Sequence, residues 1–162
     1  MVLKNDSLSS STLVLMAALN EEEGIGLTLK ELKQCLASSI KPLFLVVDGN
    51  SKDRTVDVAK GLGADVVIQE GKGKGNAINC ALHYLNHNEI DYVILTDADY
   101  TYPAEYIPKM LEILEHNPEV GMVCGNRFNS HLPCSSGGRM FYLGNKMLAF
   151  AHNVMNGIQL HD

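Results

Sequence analysis

The sequence predicts an α/β fold, a three-layer α/β/α sandwich around a mostly parallel sheet. Three observations lead there. Short runs rich in Val, Ile and Leu recur along the chain, segments of helical periodicity separate them, and polar residues cluster directly after each run. Unbroken apolar runs of this length suit strands covered on both faces, as in a parallel sheet flanked by helices.

Residues 1–10 (MVLKNDSLSS) read as a flexible polar tail. Strands are expected at Thr12–Ala18, Leu43–Val47, Ala64–Ile68, Tyr92–Leu95 and Val120–Cys124. Between the first two, Glu22–Ala37 places Ile25, Leu29, Leu32 and Leu36 on one helical face. The spacing predicts a second helix over Asp53–Leu62, with Asp53 as N-cap and Gly63 as the C-terminal stop. Asn76–Asn86 and Ala104–His116 follow, the latter entered through Pro103 and closed by Asn117-Pro118. A last helix is expected over Arg139–Val154. No repeat or linker divides 11–162, so one domain is expected there.

Composition narrows the function classes. The net charge of −6 and the lack of a long Lys/Arg run argue against nucleic-acid binding. No apolar stretch approaches the roughly 20 residues that span a bilayer, and Lys4 is followed by polar residues where a signal peptide has its apolar region. A soluble chain is the expectation. Cys35, Cys80, Cys124 and Cys134 form no CxxC pair and no metal-ligand spacing, which points to a reducing compartment. His83 and His87, four apart on one helix, have no further ligand-type neighbour in sequence and read as surface side chains.

In open parallel sheets, ligands gather at the carboxyl ends of the strands. Asn20-Glu21-Glu22 follows the first run, Asp48-Gly49-Asn50-Ser51 the second, and Gly71-Lys72-Gly73-Lys74-Gly75 the third. Asp97-Ala98-Asp99 follows the fourth, and Gly125-Asn126-Arg127 the fifth. Two carboxylates two residues apart repel each other unless a cation joins them. Their oxygen ligands suit Mg²⁺ or Mn²⁺, and such ions complete their shells with water and substrate phosphates. The plainer alternative has one Asp capping the helix after Pro103 and the other solvated. The glycine-rich turn opens a helix, where backbone amides and the helix dipole favour an anion, and Lys72 and Lys74 would add charge for a pyrophosphate. Neither a Walker loop nor a GxGxxG motif is present. Arg127 has the guanidinium that grips phosphate in a bidentate way, or forms a surface salt bridge. Arg139 reads similarly, or as a residue at a helix start.

Taken together and in order, AALNEEEGI (17–25), VVDGNSKDRTVDVA (46–59), GKGKGNAI (71–78), LTDADYTYP (95–103) and GNRF (125–128) resemble family 2 glycosyltransferases. The fold implied is the glycosyltransferase A-type, or nucleotide-diphospho-sugar transferase, fold. The branch most like this chain is that of the dolichyl-phosphate mannosyl- and glucosyltransferases. The resemblance implies that Leu19 and Glu21 contact the nucleotide and that Asp48 lies beside the base and ribose. It implies that Asp97, Ala98 and Asp99 hold ribose, sugar and metal, and that Arg127 and Arg139 face the phosphates of donor or acceptor. The chain departs from the family pattern at Ala17 (usually Pro), Gly49 (usually a second Asp) and Thr101 (often Gln). The relatives continue beyond a residue resembling Asp162, so the acceptor-side end is expected to be missing.

The function so implied is metal-dependent transfer of a hexosyl group, with inversion, from a GDP- or UDP-linked sugar to a polyprenyl (dolichyl) phosphate. Placement in the cytoplasm, at the membrane surface, comes from the same resemblance. Two other readings compete. One is a donor-binding module without turnover. The other is a haloacid-dehalogenase-type phosphatase with Asp97 as nucleophile, since Asp97–Thr101 fits DxDx[TV]; that motif belongs after the first strand of its core. A sugar nucleotidyltransferase would need a Gly/Arg-rich loop where Ala17–Glu21 stands.

Overall fold

The computed structural model describes residues 11–38, 40–85, 90–125 and Met147. The chain divides into two units, Met1–Glu115 and His116–Asp162, and the sheet with its polar rim lies in the first. Its elements are β1 (Thr12–Ala18), α1 (Glu22–Leu36), β2 (Leu43–Asp48), α2 (Thr55–Gly61), β3 (Asp65–Ile68), α3 (Lys74–Leu85) and β4 (Tyr92–Asp97). A 3₁₀ turn (Ala104–Tyr106) then leads into α4 (Ile107–His116). The α/β class expected from the sequence is the one observed.

The sheet has the order β3-β2-β1-β4, and every pairing is parallel. Ala17 lies opposite both Val47 and Asp97, and Asp48 lies opposite both Ala18 and Ile68. This register brings the carboxyl ends of all four strands level, so the loops that follow them share one rim. Alternate residues of β1 and β2 then feed two cores. Val14, Met16 and Val46 pack with Ile25, Leu29, Leu32 and Leu36 of α1, Ala59 of α2 and Leu111 of α4. Leu13, Leu15, Leu45 and Val47 pack with Ala77 and Ala81 of α3.

Burial on both faces holds for the two central strands, whereas the edges differ. β4 alternates, with Val93 and Leu95 exposed, and β3 is only partly covered. The expected fifth strand is absent: residues 120–125 have no strand assignment. The Val120 amide instead donates to the Asn117 carbonyl in a turn, Gly121 follows, and Met122 is 76% exposed. Burial was what the apolar run at 120–124 implied, and these residues do not have it. The second helix starts later than expected, with Arg54 at the cap and Asp53 just outside. Gly63 ends it in a left-handed conformation (φ 75°), as the glycine predicted. The helix expected over Arg139–Val154 lies outside the described residues, apart from Met147 within it, which is helical. Among the described residues no helix is long and apolar enough to cross a membrane.

Candidate functional site

The apolar strand β4 delivers Asp97 to the rim, and the chain then turns sharply. Asp97 Oδ1 accepts a hydrogen bond from Lys74 Nζ at 2.8 Å. Asp99 Oδ1 accepts from the Thr101 amide at 3.2 Å and from the Thr101 hydroxyl. Ala98 between them is buried, while Asp99 is exposed. Among the described residues, Oδ2 of each carboxylate carries no partner. No group of three or more His, Cys, Asp or Glu side chains able to hold a metal occurs among the described residues. Two carboxylates do fit Mg²⁺ or Mn²⁺, because these ions keep several waters and take phosphate oxygens as further ligands. They would not suit a structural site, which needs a full protein shell.

Lys74 is the first residue of α3. The turn before it is held in place: the Asn76 side chain donates to the Glu70 carbonyl, and the Asn76 and Ala77 amides donate to the Gly73 carbonyl. Gly71 (φ 96°) and Gly73 (φ 88°) occupy conformations that other residues rarely adopt. The hydrogen bond to Asp97 raises the Lys74 pKa above its usual 10.5, against a smaller opposing effect of burial, with the charges of Asp97, Tyr102 and Asp99 adding to the rise. Lys74 therefore stays cationic throughout the neutral range. Lys72 is exposed and does not line the cavity.

One cavity joins Leu19 and Glu21 after β1, Gly49 after β2, Gln69 and Lys74 after β3, Asp97 at the end of β4, and Ala98 and Asp99 just beyond it. Six of the residues singled out from the sequence thus meet in one place. Asp48 is placed differently. It is 1% exposed, and its carboxylate accepts from the Ser51 amide (Oδ2, 2.9 Å) and the Ser51 hydroxyl (Oδ1), so it fastens the turn behind the cavity. Arg127, Arg139 and His87 lie outside the described residues. The cavity also contains a group the sequence reading passed over. Gln69 is 7% exposed, and its Oε1 is buried without a partner among the described residues. A Cβ on Gly49 would lie 3.3 Å from Gln69 Nε2 and 3.3 Å from Leu19 Cδ1, so the glycine leaves that wall open.

The loops after β1 and β2 are stapled together. The Asn20 amide donates to Ser51 Oγ (2.8 Å), Glu21 to Thr55 Oγ1 (2.8 Å) and Glu22 to Asp53 Oδ2 (3.1 Å). In return the Lys52 amide donates to Asn20 Oδ1 (2.7 Å) and the Arg54 amide to Glu22 Oε2 (2.9 Å). Two helix N-termini thus satisfy each other's orphan amides. The Asp53 pKa is lowered from 3.8, first by the Thr55 hydroxyl and then, against a burial effect, by the amides of Thr55 and Glu22. A depressed carboxyl pKa stabilises the fold fully above its unfolded value, and the benefit is lost as pH falls through the folded value. Asp53→Asn is therefore expected to be less stable than wild type at pH 6, with the gap closing below pH 3.8. Urea denaturation at several pH values measures it, and a gap that does not change with pH would refute it.

Comparison with known proteins bears on the site. The model of the family described as Glycosyl transferase family 2 matches residues 13–149. A dolichyl-phosphate hexose transferase of Haloferax volcanii is 32% identical over 92% of this chain and 61% of its own length. The low-salt glycan biosynthesis hexosyltransferase Agl6 of the same organism is 34% identical over the whole chain and 39% of its own length. The chain therefore spans less than two thirds of these relatives. A structure of glucosyl-3-phosphoglycerate synthase from Mycobacterium tuberculosis, solved with Mn²⁺, uridine diphosphate and glucosyl-3-phosphoglycerate, superposes with a TM-score of 0.53. It is 26% identical, over 65% of this chain and 40% of that one.

Proposed function

The chain belongs to glycosyl transferase family 2, and on that premise we propose that it takes part in metal-dependent transfer of a hexosyl group from a nucleotide-sugar to a polyprenyl (dolichyl) phosphate, with inversion. The observation that carries this reading is the meeting of Lys74, Asp97 and Asp99 with Leu19, Gly49 and Gln69 in one cavity at the strand ends. Its lining pairs a basic with an acidic group, Lys74 with Asp97 at 2.8 Å, and separately groups apolar Leu19 and the Gln69 carboxamide around Gly49. A nucleoside diphosphate has the matching division into charged pyrophosphate and flat, hydrogen-bonding base.

A Mg²⁺ or Mn²⁺ ion held by Asp97 and Asp99 would supply positive charge to the leaving diphosphate. Lys74, at the amino end of α3, adds a fixed cation and the helix dipole on the same side. Leu19 and the open Gly49–Gln69 wall receive the base, and Glu21 stands beside them. Arg127 and Arg139 are assigned to phosphate contacts, a role that rests on sequence alone. An acceptor phosphate monoester, with a second pKa of about 6, is already largely ionised at neutral pH. One of its oxygens attacks the anomeric carbon as the bond to the diphosphate oxygen breaks, so no strong general base is required. The Mn²⁺- and uridine-diphosphate-bound synthase and the dolichyl-phosphate hexose transferase lend support for cation, donor and acceptor class. Attachment at a cytoplasmic membrane face is part of the proposal, because the acceptor is a lipid. The phosphatase reading loses ground, since Asp97 ends the fourth strand in sequence and not the first.

Calorimetry with UDP- and GDP-sugars, with and without Mn²⁺, tests the donor half. Lipid-linked product from labelled donor and polyprenyl phosphate tests the acceptor half. Metal-dependent binding of one nucleotide class is expected; no binding of either, with or without Mn²⁺, would overturn the proposal. Binding without transfer would favour the donor-binding module. Lys74→Met is expected to weaken nucleoside diphosphate binding about tenfold, the scale of one charged hydrogen bond. Folding stability should change by less than about 1 kcal/mol, because the Lys74 side chain is 73% exposed and its pairing with Asp97 is screened by solvent. Unchanged diphosphate affinity would remove Lys74 from the site.

A further inference from the structure

We propose that Thr28, together with Gly24 one helical turn before it, is a positioning residue that sets the direction of the Asp99 carboxylate beside that of Asp97. The inference rests on the reading of that pair as a cation site. Thr28 lies inside α1, where a threonine hydroxyl usually points to solvent or bonds back to the carbonyl four residues earlier. Here it does neither. The side chain is 4% exposed, and its hydroxyl leaves the helix to meet the loop after β4. It donates to the Ala98 carbonyl at 3.3 Å and accepts from the Tyr100 amide at 3.0 Å.

These two groups belong to the two peptide planes that flank Asp99. One hydroxyl therefore fixes both backbone rotations of Asp99, and with them the direction in which its carboxylate leaves the chain. The turn needs such a restraint, because Tyr100 sits in the left-handed region (φ 60°), which is unfavourable for a residue with a Cβ. Gly24 lets the helix come close enough. A Cβ there would fall 2.8 Å from the Ala98 oxygen and 2.9 Å from Asp99 Cα, distances that real Cβ atoms do not tolerate. Glycine is a poor choice inside a helix on propensity alone; at this position the close approach accounts for it. Glu31, three residues beyond Thr28, holds the far end of the same loop by accepting from the Ala104 amide at 3.2 Å. One face of α1 thus carries the whole acidic turn.

Supporting partners of a metal ligand are worth about 10–100-fold in metal affinity. Thr28→Val keeps the shape and removes both hydrogen bonds, whereas Thr28→Ser keeps the hydroxyl. In the full chain, Mn²⁺ affinity in the presence of UDP or GDP is expected to fall about 10–100-fold in Thr28→Val and to stay at the wild-type value in Thr28→Ser. Thr28→Val with a lowered melting temperature but wild-type Mn²⁺ affinity would overturn the proposal. Should Thr28→Val not fold, hydrogen exchange of the Tyr100 amide in the wild-type chain decides. Marked protection without any ligand is expected, and exchange as fast as in a solvated loop would overturn the proposal. Should wild type bind no Mn²⁺, the donor reading fails, and the Tyr100 exchange rate still judges Thr28 separately.

Discussion

Asp99→Asn is expected to remove most Mn²⁺-dependent nucleotide binding while leaving the fold intact. The loss should exceed 100-fold, since a direct ligand matters more than the outer-shell partners whose loss costs about 10–100-fold. The asparagine carbonyl can still accept from the Thr101 amide and hydroxyl, as Asp99 Oδ1 does now, so the turn keeps its internal bonds. What changes is the other end of the group. An anionic oxygen becomes an amide nitrogen that can only donate, which a cation repels and cannot use as a ligand. Asp99 is exposed, so folding stability should stay within about 0.5 kcal/mol of wild type. Calorimetry of UDP or GDP with Mn²⁺, beside urea denaturation of the same sample, measures both quantities. Wild-type affinity in Asp99→Asn would show that the pair does not hold the ion. The corresponding change at Asp97 is less clean, because it also removes the negative charge that pairs with Lys74.

The parts of this molecule that could be read from sequence are those governed by local pattern. The apolar runs of β1 and β2 are buried to the last residue or nearly so, and the steps of α1 place Ile25, Leu29, Leu32 and Leu36 in the core as expected. Pattern misled where burial was absent, at 120–124, since an apolar run announces a strand only if something covers it. The rim could be read as a set of polar clusters after strands, which found Lys74, Asp97 and Asp99. It could not reveal which polar groups face the cavity and which hold loops. Asp48 has the look of a ligand in sequence, yet its carboxylate is engaged by Ser51 three residues on. Asn20, Ser51, Asp53 and Thr55 act across a gap of some thirty residues, and that apposition exists only once β1 and β2 pair. Thr28 is the hardest case, because its partners are 70 and 72 positions away and its helix is unremarkable around it. Gln69 follows the apolar run of β3, and nothing in its neighbours distinguishes it from an ordinary strand-end residue.

Leu29→Ala is expected to destabilise the chain by about 2–5 kcal/mol, the range for truncating a fully buried leucine. Leu29 is 0% exposed and packs in the core formed by α1, α2, α4 and one face of the sheet. It lies one residue after Thr28, on the side of α1 that meets the sheet, whereas Gly24 and Thr28 meet the acidic turn. The two variants therefore probe different faces of one helix. For Leu29→Ala, the native molecules that remain should bind Mn²⁺ and nucleotide with the wild-type dissociation constant, because the hydroxyl bridge at Thr28 is untouched. Saturating ligand at 100 times that constant should then recover about 2.7 kcal/mol of the lost stability, through binding to the folded state alone. Urea titrations with and without ligand measure both terms. A large stability loss with unchanged intrinsic affinity would separate what holds α1 in place from what α1 holds in place. A dissociation constant that rises in proportion to the lost stability would mean that the acidic turn takes its shape from the packing of the whole helix, not from the contacts of Gly24 and Thr28.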